Sequence, residues 1–82
     1  MELKHGTNNE GEFYTGRNRD GIWLIQINRL SIWHGYLNCN WKQSFTHKES
    51  ALHWICETLK CQVGDFEEIG DISKLVTAGG GT

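Results

Sequence analysis

Four histidines and three cysteines carry most of the chemical potential of this 82-residue chain, and their spacing decides what they can do together. Imidazole and thiolate are zinc ligands, yet zinc sites draw on short pairs such as Cys-x-x-Cys or His-x-x-x-His, and neither occurs. Cys56 and Cys61 lie five positions apart, about 140° around a helix, so they can face one ligand only if the helix ends between them. His53 and Glu57 are one turn apart, a spacing that reads as a solvated ion pair steadying a helix by a few tenths of a kcal/mol. The expectation is no metal and no cofactor.

Nucleophilic catalysis would need a thiol or hydroxyl, a base and an orienting group in one cleft. Cys39 and His34 fall on opposite parities of one strand pattern, which sends Cys39 to the core and His34 outward. Cys56 and His53 diverge in the same way on a helix, and buried thiols usually behave as small hydrophobes. Glu67 and Glu68 are adjacent on a presumed first helical turn, and Gly79-Gly80-Gly81 precedes no helix that could cradle phosphate. No enzyme is expected.

The elements that must position these groups are read from periodicity. From Trp33 to Phe45, odd positions are apolar or small except Gln43, and even positions are polar or amphipathic, the signature of a half-buried strand. Thirteen extended residues would span roughly 40 Å, too long for so small a domain, so the segment must bend at Gly35 or turn at Asn38-Cys39-Asn40. Phe13 to Arg17 and Ile22 to Asn28 form a hairpin through Asn18-Arg19-Asp20-Gly21. Thr46 and Glu49 have capping-box spacing and open a helix from His47 to about Cys61. Its apolar stripe is Ala51, Leu52, Trp54, Ile55, Cys56 and Leu59. Gly64 is its expected C-terminal cap. Asp65 with Glu68, followed by Phe66, Ile69, Ile72 and Val76, predicts a short second helix.

These elements give one α+β domain over residues 12–76. A three-stranded antiparallel meander, with four strands as the alternative, packs on one amphipathic helix, and a short C-terminal helix follows. Residues 1–11 are read as a mobile N-terminal segment and 77–82 as a flexible Gly-rich tail. Nine aromatic residues supply large buried areas in a chain near the lower size limit of a single core. An odd cysteine count favours free thiols in a reducing compartment, and no stretch approaches a membrane span, so the expected location is cytoplasmic. The net charge of −2 is too mild for nonspecific polyanion binding.

If Trp23, Ile25 and Ile27 face the helix with Trp33, Leu37 and Trp41, then Ile22, Leu24 and Gln26 emerge on the other side of the sheet. There they join Tyr14, His34, Tyr36, Asn38 and Asn40. An antiparallel sheet with one helical layer leaves such a face uncovered, and its amphipathic, nearly uncharged residues suit protein recognition.

Gly21-Ile22-Trp23 in the second strand, Phe45-Thr46, and Ala51 with Trp54 on the helix carry a resemblance covering roughly residues 12–60. In this the chain resembles AP2-type DNA-binding domains and the arm-binding domains of phage integrases. That resemblance implies a three-stranded sheet entering the DNA major groove, with Arg17, Arg19, Gln26, Asn28, Asn38, Asn40 and Lys42 at the reading positions. By analogy of size and layout the chain is also similar to small phage-encoded proteins that bind and block a host protein. The leading expectation is a non-enzymatic protein-binding module, an inhibitor or adaptor from a phage or mobile element acting on a host protein in the host cytoplasm. Its contact residues would be Tyr14, Leu24, Gln26, His34, Tyr36 and Asn38. Duplex DNA is the alternative partner, and a homodimer is a further arrangement.

Overall fold

The structure, a computed structural model, describes residues 2–73. Among these residues six strands and one α-helix follow one another: β1 (Leu3–Thr7), β2 (Glu12–Asn18), β3 (Gly21–Ile27), β4 (Trp33–Leu37), β5 (Asn40–Phe45), α1 (Lys48–Leu59) and β6 (Glu67–Asp71). A 3-10 turn, Val63–Asp65, joins the helix to the last strand. The sheet order is β5-β4-β3-β2-β1-β6, antiparallel except for the β1–β6 pair, which is parallel. This mixed six-stranded sheet replaces the expected three- or four-stranded meander, and Val76 and residues 77–82 lie outside the described residues.

Two segments account for the difference. Leu3–Thr7, assigned by composition to a leader, pairs with β2 on one side and β6 on the other. Residues 67–71, predicted helical, are extended instead. Gly70 adopts φ 76°, which no right-handed helix accommodates, and the preceding Phe66 is buried in the core. Parallel pairing with β1 supplies backbone hydrogen bonds that an isolated five-residue helix would lack.

The long alternating segment does divide. Asn38 and Cys39 both have positive φ, 52° and 70°, the backbone of a tight two-residue hairpin turn, and Cys39 is exposed there rather than pointing into the core. A bulge between Gly35 and Tyr36 leaves Lys42 as the extra residue of β5, because Gly35 pairs with Gln43 but Tyr36 pairs with Trp41. One inserted residue inverts every side chain beyond it, so Trp41 leaves the core side and stands 60% exposed.

The core lies between α1 and one face of the sheet. Tyr14, Ile25, Trp33, Ala51, Ile55, Leu59 and Phe66 form it, with Trp23, Ile27, Phe45 and Trp54 packed around them. Each fully buried aliphatic side chain such as Ile25 or Ile55 contributes about 1.5–3 kcal/mol by leaving water. Close approach of the layers depends on two glycines: a Cβ on Gly35 would come within 2.6 Å of the Trp54 ring, and one on Gly16 within 2.6 Å of Leu59. Trp54 meets Trp23 edge-on at 5.5 Å and Phe45 at 5.7 Å.

The helix ends differ from the expected ones. His47 is the N-cap, without a side-chain hydrogen bond, so Thr46 and Glu49 form no capping box. Lys60, not Gly64, takes the left-handed conformation that closes the C-terminus (φ 54°), and its N–H bonds the Cys56 carbonyl. A capping box does occur one step later, between Gln62 and Asp65. Among the described residues no helix is long and apolar enough to cross a membrane.

Candidate binding face

Register places the residues of the open face in rows. Glu67, Lys4, Thr15, Leu24, Tyr36 and Trp41 are successive partners across all six strands, so their side chains share one side of the sheet. A second row runs Gly6, Phe13, Gln26, His34 and Ser44, and Arg17 lies opposite Ile22 toward the β2–β3 turn. Among the described residues, the only helix of regular α form packs on the other side. Trp41, Ile22 at 46% exposure, and the half-buried Leu24 and Tyr36 therefore make an aliphatic and aromatic strip. Lys4 and Arg17 flank it.

The predicted contact residues divide into three groups. Leu24, Gln26, His34 and Tyr36 do share this face. Asn38 is in the β4–β5 turn, where its side chain accepts the Ile22 N–H (3.0 Å) and donates to the Asp20 carbonyl (3.3 Å). Tyr14 is on the opposite face, 3% exposed, because the two-residue β2–β3 turn pairs even-numbered residues of β2 with odd-numbered residues of β3. Tyr14 thus sits opposite Ile25, in the core.

Two members of the face are already tied down. The Gln26 amide accepts from Asn8 (2.6 Å) and donates to the Ile27 carbonyl (2.8 Å). His34 holds the Ser44 hydroxyl at Nδ1 (2.7 Å) and receives the Asn28 amide at Nε2 (3.2 Å). Asn28 in turn accepts the backbone N–H groups of Leu30 and Ile32, closing the β3–β4 loop. These amides organise the β1–β2 and β3–β4 turns. Arg17 remains exposed on the face, Arg19 is in the β2–β3 turn, Asn40 opens β5, and Lys42 occupies the bulge.

Trp41 is the face residue that alternation misassigned. Its indole N–H donates to the Ser44 hydroxyl at 2.9 Å, which fixes the exposed ring beside Tyr36. The possible bend at Gly35 was the one sequence signal for its reversal.

On the helix side, four elements meet in one polar cluster around Glu12 and His5. Its Oε2 takes the Lys48 ammonium at 3.0 Å, the Tyr14 hydroxyl at 3.3 Å and His5 Nε2 at 2.5 Å. The other His5 nitrogen meets the Glu68 carboxylate, and the ring stacks on Tyr14 at 3.9 Å. Partial burial alone would raise the Glu12 pKa, but the hydrogen bonds and charges of Lys48 and His5 outweigh it and hold the carboxyl below its usual range. Burial, reinforced by the Glu12 charge, moves the Tyr14 hydroxyl up. Both His5 nitrogens are occupied by carboxylates, which leaves neither open to a substrate; the cluster fastens β1, β2, α1 and β6 together. No sequence motif marks it, since its members are up to 63 positions apart.

Compared with known families, curated proteins and solved structures, the chain matches no family model, no curated protein and no solved structure.

Proposed function

We propose that this domain is a non-enzymatic protein-binding module whose contact surface is the open sheet face, centred on Leu24, Tyr36 and Trp41. The observation that carries this reading is the row from Lys4 to Trp41, which puts an exposed aromatic and aliphatic strip on a rigid, five-strand platform. Tryptophan and tyrosine bury large areas at low entropic cost and dominate binding energy at protein interfaces. Arg17, exposed beside Ile22, favours a partner that sets a carboxylate next to its apolar patch, while Lys4 faces Glu67 across the β1–β6 pair. His34 and Gln26, locked by internal hydrogen bonds, shape the rim.

The test uses the whole chain and a Leu24→Asp, Tyr36→Asp variant as bait in extracts of the source cells. Proteins held by the wild-type chain should be lost from the variant, whose thermal melt remains cooperative. The same proteins on both baits would overturn the assignment of the surface. Salt-sensitive retention of duplex DNA, lost on changing Arg17, Arg19 and Lys42 to Ala, would transfer the face to nucleic acid. Concentration-dependent sedimentation abolished by the double substitution would identify the partner as a second copy.

A further inference from the structure

Cys56 lies in the last turn of α1 and Cys61 just after it, and the helix ends between them. Left-handed Lys60 reverses the chain there, and the Cys61 N–H donates to the Cys56 carbonyl at 3.0 Å. The reversal sets the two thiols side by side, each the other's neighbour, which is the juxtaposition a disulfide requires. Both thiols are free, both are half-buried, and both line the same open cavity of about 760 Å³ with His53, Lys60 and Asp65. Among the described residues no set of three or more His, Cys, Asp or Glu side chains is arranged to hold a metal ion.

We propose that Cys56 and Cys61 are a dithiol modification site, which a low-molecular-weight disulfide such as glutathione disulfide converts to an intramolecular disulfide across the helix C-terminus. In the first exchange the Cys56 thiol loses its proton and its sulfur attacks the oxidant. One glutathione thiolate leaves, and a mixed disulfide remains on Cys56. Cys61 then loses its proton and attacks the Cys56 sulfur, expelling the second glutathione. The protein gives up two protons and two electrons, and the oxidant becomes two thiols.

Cys56 is the entering sulfur because of its neighbour. Burial pushes both thiols up, and with the Cys56 thiol alongside, Cys61 reaches about 11. At Cys56 the hydrogen bond from Cys61 restrains the rise due to burial. The reaction is therefore slow at neutral pH and accelerates about tenfold per pH unit as thiolate accumulates.

The experiment uses the full chain carrying Cys39→Ser, with Cys39→Gly as a second background suited to the positive φ of that turn. Incubated with glutathione disulfide, each should lose the mass of two hydrogens and retain no adduct. Trypsin cleaves after Lys60, so the bond should appear as two joined peptides, one carrying Cys56 and one Cys61. Adding Cys61→Ser should stop the reaction at a glutathione adduct on Cys56. Two glutathione adducts on one chain, or only bridges between chains, would overturn the proposal. So would a dithiol that stays unmodified on prolonged incubation at alkaline pH, where thiolate accumulates, after Cys39 of the wild-type chain has been fully modified.

Discussion

The two faces of the sheet are built from the same strands and differ in what the backbone does between residues. Beneath α1, glycines at positions 16 and 35 remove side chains so that Leu59 and Trp54 can descend onto the strands. On the open side, a single bulge sets the indole of Trp41 opposite Tyr36, where unbroken alternation would have placed the Lys42 side chain. Core is made here by deleting side chains, and surface is made by displacing one. Stability should therefore be concentrated in the first face and recognition in the second.

The largest break in that contrast is truncation on each side. Ile55→Ala, fully buried, should cost about 2–5 kcal/mol through lost transfer energy and the cavity left behind. Leu24→Ala, half-buried on the open face, should cost clearly less, which parallel urea denaturation of the two variants would measure. Equal losses would mean that the open face is a second core. Next in size is Gly35→Ala, whose methyl group would meet the Trp54 ring. Overpacking should destabilise by about 1–3 kcal/mol and shift tryptophan emission, since the ring must move.

The smallest effect comes from the Glu12 cluster, which ties the covered face to the sheet edge. Because the folded-state pKa of Glu12 is lowered, its contribution is present above the unfolded value of 4.5 and is lost as pH falls through the lowered one. With Lys48 substantially exposed, the contribution of that pair should stay below about 1 kcal/mol. Thermal melts of the wild-type chain and Glu12→Gln should converge on the acid side, and a constant gap between them would remove the charge from the account.

Period and turn chemistry were enough to locate the β2–β3 hairpin and the buried stripe of α1, and they offered Asn38-Cys39-Asn40 as one of two places where the long segment could break. They failed where a count of one residue mattered. The parity of Tyr14 is set by the length of the β2–β3 turn, and that of Trp41 by the bulge at Lys42; neither is carried by the side chains themselves. Leu24, Gln26, His34 and Tyr36 were correctly grouped because β3 and β4 pair without interruption. Residues 67–71 could be read two ways, since Phe66, Ile69 and Ile72 fit a helical spacing, and only the presence of β1 as a neighbour decides for strand. A pairing between distant segments leaves no trace in local pattern.

The same parallel β1–β6 pair has a kinetic consequence. Among the described residues, the last strand in chain order closes on the first, joining residues such as His5 and Glu68 across 63 positions. Loop-closure entropy is thus charged late, after the local hairpins have formed, and topologies with such distant contacts fold slowly for their size. Until β6 docks, β1 is a bare edge and Tyr14 lacks the Phe66 ring that meets it edge-on at 5.2 Å. The refolding chain should therefore form its central hairpins before the rate-limiting barrier and bring β6 onto β1 in crossing it.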